Sequence, residues 1–135
     1  MPVTSGINHV TTFTTDLDRM ARFYEDMFGA EIVFERQATD GHPRTAIVEL
    51  GGTRYVKFVE DPAYRAPHTT TAIERFGLAV GSLAILRELR ERMAAAGAAI
   101  GEIERLPTQW VLPFTDPDGT PLQVSAHARP GDPAA

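Results

Sequence analysis

Residues 7–34 read INHVTTFTTDLDRMARFYEDMFGAEIVF, and this stretch decides the fold. Ile7 to Thr14 is rich in β-branched residues, which favour a pleated strand. Asp16 then suits a helix N-cap, its carboxylate accepting from first-turn amides that have no partner inside the helix. Leu17, Met20, Phe23, Tyr24, Met27 and Phe28 recur at helical spacing, and Gly29 can take the left-handed conformation that closes a helix. Ala30 to Arg36 predicts a second strand. Thr45 to Leu50 and Arg54 to Glu60 predict a third and a fourth, with Gly41 and Pro43 punctuating the first gap and Gly51-Gly52 turning a hairpin. The order is strand, helix, three strands.

Asp61 to Thr71 (DPAYRAPHTTT) has two prolines and no apolar period, and predicts a linker. The pattern then restarts. Arg75 to Val80 predicts a strand, and Ser82 caps a helix ending at Gly97. The apolar stripe of that helix is Leu83, Leu86, Leu89 and Met93, widened by Ile85. Ala98 to Glu104, Gln109 to Thr115 and Pro121 to Ala126 supply three more strands, the last two joined by the turn Asp116-Pro117-Asp118-Gly119. The implied organisation is a first βαβββ module over 1–60, a linker over 61–72, a second module over 73–127 and a flexible tail over 128–135.

An internal repeat supports this division. Asp16 lies seven residues after His9 and Ser82 seven after Arg75; Lys57 lies 48 after His9 and Gln123 lies 48 after Arg75. The halves therefore align without gaps at an offset of 66 residues, 75 less 9.

Composition narrows the function classes. The chain of 135 residues is 43% hydrophobic and 23% charged, as globular proteins are, with a formal net charge of -5. That balance argues against a nucleic-acid partner, which calls for a basic stripe. With no cysteine there is no disulfide, thiolate metal site or cysteine nucleophile. No stretch approaches the ~20 apolar residues of a membrane helix, and residues 1–6 carry neither a basic leader nor an apolar run. The expectation is a cytoplasmic protein with no membrane partner. No serine, histidine and carboxylate grouping marks a hydrolase, and no glycine-rich loop marks a phosphate site.

The run DL-x-R-x-x-x-FY-x-x-x-x-G over 16–29, together with FTDPDGTPLQVSA over 114–126, resembles the vicinal oxygen chelate superfamily. That superfamily includes glyoxalase I, extradiol dioxygenases, fosfomycin resistance proteins and bleomycin-binding proteins. The resemblance covers about Gly6 to Ala126. It implies an α+β fold of two tandem βαβββ modules, whose curved mixed sheets enclose a ligand cavity. In metal-dependent members the cavity floor holds a divalent ion, with ligands from the first and last strand of each module.

Carried over residue by residue, those four positions fall on His9, Lys57, Arg75 and Gln123. His9 suits a metal. Lys57 is an ammonium with no lone pair, Arg75 is a permanent cation, and Gln123 offers only a weakly coordinating carbonyl. A one-residue slip would bring Glu74 into line but turn Phe76, Leu78 and Val80 into the cavity. Glu49 mimics a ligand only by breaking the 48-residue spacing. No metal or other cofactor is expected, although the superfamily makes a divalent metal possible.

The parity that buries Val10, Phe58, Phe76, Leu78, Leu122 and Val124 under the helices leaves another face for the cavity. That face is expected to hold Ile7, His9, Thr11, Phe13, Tyr55, Lys57, Val59, Arg75, Gly77, Ala79, Gln123, Ser125 and His127. Trp110 and Phe114, from the strand before, are expected to join it, Trp110 as a flat stacking wall. The bland alternatives are that Trp110 is core, that Lys57 and Arg75 pair with Glu49, Glu60, Glu74 or Glu104, and that His42, His68 and His127 are solvated. The ligand-binding set is His9, Phe13, Tyr55, Lys57, Arg75, Trp110, Phe114 and Gln123, with His9 the candidate catalytic base.

The leading expectation is a metal-independent homodimer that sequesters a bulky aromatic or oxygenated molecule such as an antibiotic. The enzymatic alternative is a metal-free isomerase, epimerase or cyclase using His9 as base, with Lys57 or Arg75 stabilising an enolate. A metal-dependent lyase, transferase or dioxygenase is disfavoured by the substitutions.

Overall fold

A computed structural model describes residues 3, 4, 6–65 and 75–133. The chain divides into two compact units, Met1–Tyr64 and Arg65–Ala135. The first holds β1 (His9–Thr14), α1 (Leu17–Phe28), β2 (Glu31–Arg36), β3 (Thr45–Gly51) and β4 (Arg54–Glu60). The second holds β5 (Gly77–Ala79), α2 (Leu83–Ala95), β6 (Glu104–Arg105), β7 (Gln109–Thr115) and β8 (Pro121–His127). Each unit is one mixed four-stranded sheet, ordered β1-β4-β3-β2 and β5-β8-β7-β6, with the first and last strands of the module parallel. These are two βαβββ modules, as the repeat implies.

The repeat holds pair by pair. Thr11 faces Lys57 as Gly77 faces Gln123, and Thr45 faces Val59 as Val111 faces Ser125, each displaced by 66 residues (77 less 11, 123 less 57). It fails at the outermost strand. Arg36 pairs with Thr45, whereas Val111 takes Glu104, two residues later than the offset requires. The strand expected over Ala98–Glu104 shrinks to Glu104–Arg105, with a lone bridge from Ile100 to Phe114. Gly101 brings its N–H to the Pro113 carbonyl at 2.9 Å, where a Cβ would stand 2.7 Å from Pro113 Cγ, so a larger residue would push the segment off β7.

Both helices end as their sequences dictate. Asp16 accepts from the Arg19 N–H at 3.1 Å, and Ser82 Oγ from the Ile85 N–H at 3.2 Å. Gly29, at φ 65°, donates its N–H to the Glu25 carbonyl. The α1 stripe of Leu17, Met20, Tyr24 and Met27 is buried on the sheet, Tyr24 lying edge-on to Phe58 at 5.0 Å between ring centroids. Leu83, Leu86, Leu89 and Met93 form the buried stripe of α2. Arg44 braces the first unit from outside, reaching Asp18 at 2.7 Å, Glu35 at 3.4 Å and Glu60 at 3.9 Å.

Two expected boundaries move. Asp61 donates its N–H to the Thr14 carbonyl at 2.8 Å, so the segment after β4 begins as part of the first unit; 66–72 lies outside the described residues. The tail expected to be frayed is tied down as far as Asp132. Asp132 Oδ2 accepts from Trp110 Nε1 and from the Arg129 N–H, both at 2.8 Å, while the Arg129 guanidinium donates to the Gly81 carbonyl at 2.6 Å.

Candidate ligand-binding site

Each sheet carries its helix on one face and turns the other away from it. In the first unit the pairing rows decide which side chains share the face turned away, because directly opposed residues point the same way. One row is His9, Tyr55, Glu49 and Glu31; the next is Thr11, Lys57, Ile47 and Phe34; the third is Phe13, Val59, Thr45 and Arg36. The structure therefore brings His9, Phe13, Tyr55 and Lys57 onto one face. Sequence reasoning missed Ile47 and Thr45, which the hairpin register between β3 and β4 adds to it together with Glu49, named from the sequence only as a ligand mimic or an ion-pair partner. It also missed Tyr64, placed in a linker, whose ring lies 6.0 Å from that of Phe13.

The centre of this face is half-buried Lys57, with Tyr55 and Val59 along its strand and Thr11 and Ile47 beside it. Glu60, a candidate partner, is on the helix side, where its carboxylate accepts from the Leu17 N–H at 2.9 Å and adds a second cap to α1. His9 is exposed, and its Nδ1 lies 3.1 Å from Asn8 Oδ1.

In the second unit Gln123 faces Gly77, and its side chain lies across the space a Cβ would fill, 3.2 Å from Cγ. Ser125, Val111 and Pro113 share that face. Arg75 is exposed and stands two residues before β5, so no strand pairing fixes its face. Of the remaining histidines, His42 and His127 are exposed and His68 lies outside the described residues.

Trp110 and Phe114 are not on this face. They oppose Ala126 and Leu122, so they point with Leu112 and Val124 to the side that carries α2, 6% and 3% exposed. Trp110 is held there by Asp132 on its indole N–H and by the Arg105 guanidinium, 5.2 Å from the ring centroid. The Asp132 carboxyl is held below the usual carboxylate range, first by the Arg129 backbone N–H and then by Trp110. The stacking wall expected of Trp110 is a core side chain locked under the C-terminal turn. The reason is parity: Phe114 opposes Leu122, which belongs to the core, and Trp110 is four residues before Phe114 on the same side of β7.

A βαβββ repeat with this register defines a class. Residues 6–124 match the model of the Glyoxalase/Bleomycin resistance protein/Dioxygenase superfamily, and the chain belongs to that superfamily. Among solved structures it is similar to a glyoxylase/bleomycin resistance protein/dioxygenase domain from Frankia sp., at 26% identity and a TM-score of 0.83, covering 93% of this chain and 99% of that one. It is also similar to a lactoylglutathione lyase from Agrobacterium tumefaciens (20% identity, TM-score 0.69, covering 93% and 96%). A variant of the fosfomycin resistance protein FosX from Listeria monocytogenes, complexed with Mn(II) and 1S,2S-dihydroxypropylphosphonic acid, shares the fold at 18% identity, TM-score 0.73, covering 93% and 95%. No curated protein matches.

The superfamily raises the question of a divalent ion, and the donor set here does not fit one. At the four corresponding positions an exposed imidazole and a neutral amide stand with an ammonium and a guanidinium, neither of which has a lone pair to give. Glu49 shares a row with His9 two strands away, with Tyr55 between them. Among the described residues no group of three or more His, Cys, Asp or Glu side chains is placed to hold a metal, and no helix is long and apolar enough to cross a membrane.

Proposed function

We propose that this is a cytoplasmic, dimeric, metal-independent binding protein of the glyoxalase and bleomycin resistance type, which captures a bulky aromatic molecule bearing anionic oxygens, such as an antibiotic. The observation that carries the reading is Lys57, a half-buried cation at the centre of the sheet face turned away from the helix, flanked by Tyr55 and by the Phe13–Tyr64 pair. Aromatic walls supply area, and a partly desolvated ammonium supplies a charge-assisted contact stronger than one in open water. On the second sheet Gln123 offers an amide, its side chain lying over Gly77.

The alternative within the superfamily is metal-free proton transfer by His9, whose imidazole is exposed on the same face. One experiment addresses both. Calorimetric titration with aromatic carboxylates and their matching amides should show binding to the wild type, with Lys57→Met weakening carboxylates by about tenfold or more and amides little. Recovery of unchanged ligand supports capture, and turnover supports the enzymatic reading. If no carboxylate binds, or Lys57→Met treats both series alike, the proposed face is wrong.

A further inference from the structure

The first sheet ends in a strand that is exposed along its whole length. All six residues of β2, Glu31-Ile32-Val33-Phe34-Glu35-Arg36, are exposed, and no described strand pairs with its outer side. Ile32, Val33 and Phe34 are 40%, 50% and 49% exposed. Three consecutive large apolar residues on an open edge are a template for another strand. The charges of β2 are of opposite sign at its two ends.

Its bulge makes the strand palindromic. Ile32 pairs with Val48 and Phe34 with Ile47, so Val33 is the extra residue. Glu31, Phe34 and Arg36 consequently point to the face away from the helix, opposite Glu49, Ile47 and Thr45, while Ile32 and Glu35 point to the helix face, opposite Val48 and Ala46. Without the extra residue Glu31 and Arg36, five positions apart, would point to opposite faces. With it, a second β2 running antiparallel about a two-fold axis through the bulge sets Glu31 against Arg36 of the other copy. It also sets Ile32 against Glu35, and Val33 against Phe34.

We propose that β2 is the homodimer interface, pairing with β2 of a second copy of this chain in that register. The contact is isologous, as a two-fold requires, so each favourable pair occurs twice. The dimeric reading above is its premise, and the inference adds the surface and the register.

Sedimentation equilibrium across micromolar concentrations tests it. The wild type should be a dimer. Glu31→Arg sets two like-charge pairs across the axis and should raise the dissociation constant by about tenfold or more, as should the reciprocal Arg36→Glu. The double variant Glu31→Arg/Arg36→Glu restores opposite charges and should return close to the wild-type constant. Both positions are exposed, and unchanged circular dichroism and thermal midpoint will show that the single variants remain folded. A wild type that is monomeric would overturn both the dimer and the interface. A dimer whose dissociation constant ignores Glu31→Arg, or that the double variant fails to restore, would leave the dimer standing and overturn β2 as its interface.

Discussion

Asp116 opens the turn between β7 and β8 with its side chain almost fully buried. Its carboxylate accepts from the N–H groups of Asp118 at 2.9 Å and Thr120 at 3.0 Å. Those donors favour the anion, but burial outweighs them and pushes the carboxyl up from 3.8 to about 6. A pKa raised on folding means that the folded state binds the proton more tightly than the unfolded chain. The stabilisation is therefore complete below about pH 4 and lost as pH rises through 6. Asparagine keeps the accepting oxygen and abolishes the titration. The stability of Asp116→Asn relative to the wild type should thus grow between pH 4 and 7, by at most about 3 kcal/mol for a two-unit shift. Urea unfolding of both proteins across that range measures the difference, and a flat difference would refute the assignment. The turn itself was legible, because Asp-Pro-Asp-Gly has a local chemistry, whereas the burial of its first carboxyl depends on what packs over it. Trp110 shows the same limit. Its indole satisfies a tail carboxylate 22 positions away, a partner that strand alternation does not identify.

At the scale of elements, the turn joining β3 to β4 carries a local conflict. Its two linking residues are Gly52 at φ 61° and Thr53 at φ 59°, both left-handed, as a two-residue hairpin of the primed type demands. The sequence predicts Gly51-Gly52 as that turn; the loop is one residue further on, and a β-branched residue occupies its second position. For such a residue the left-handed region costs roughly 1–2 kcal/mol. Glycine has that conformation available but gives back part of the gain through the greater freedom of the unfolded chain. Thr53→Gly should therefore stabilise the protein by about 0.5–1 kcal/mol without altering ligand binding. A lower denaturation midpoint for the variant would show that Thr53 makes a contact that matters more than its backbone strain. The caps at Asp16, Gly29 and Ser82 were legible because a cap is a property of adjacent residues. The shortening of β6 was not. Ala98–Glu104 has strand-like residues, but the two-residue shift against the repeat and the close approach of Gly101 to Pro113 leave only Glu104–Arg105 in the ladder.

At the scale of the whole chain, the 66-residue repeat was the most informative feature of the sequence, because it fixes register as well as architecture. Thr11 opposite Lys57 and Gly77 opposite Gln123 are the same structural position, occupied by different chemistry. The candidate face was half legible. Parity along β1 and β4 placed His9, Phe13, Tyr55 and Lys57 together, while neighbours from β3 and Tyr64 required the pairing itself. Ligand-position chemistry also makes a claim about the intact protein. An ion held by the native state and not by the unfolded chain stabilises the fold by about 2.7 kcal/mol at a hundredfold excess over its dissociation constant. In a chain of this size that shift raises the melting temperature by several degrees. At the other three corresponding positions two side chains are cationic and one is an amide, a donor set that does not fit such an ion. Excess Mn(II), Zn(II), Ni(II) or Fe(II) should therefore leave the melting temperature within about one degree of its chelator-treated value, well under the several-degree rise a bound ion gives. Removing metal should leave carboxylate affinity unchanged. A metal-dependent rise of several degrees that disappears in His9→Ala would show that His9 recruits ligands beyond the four corresponding positions, and the metal-independent reading would fall.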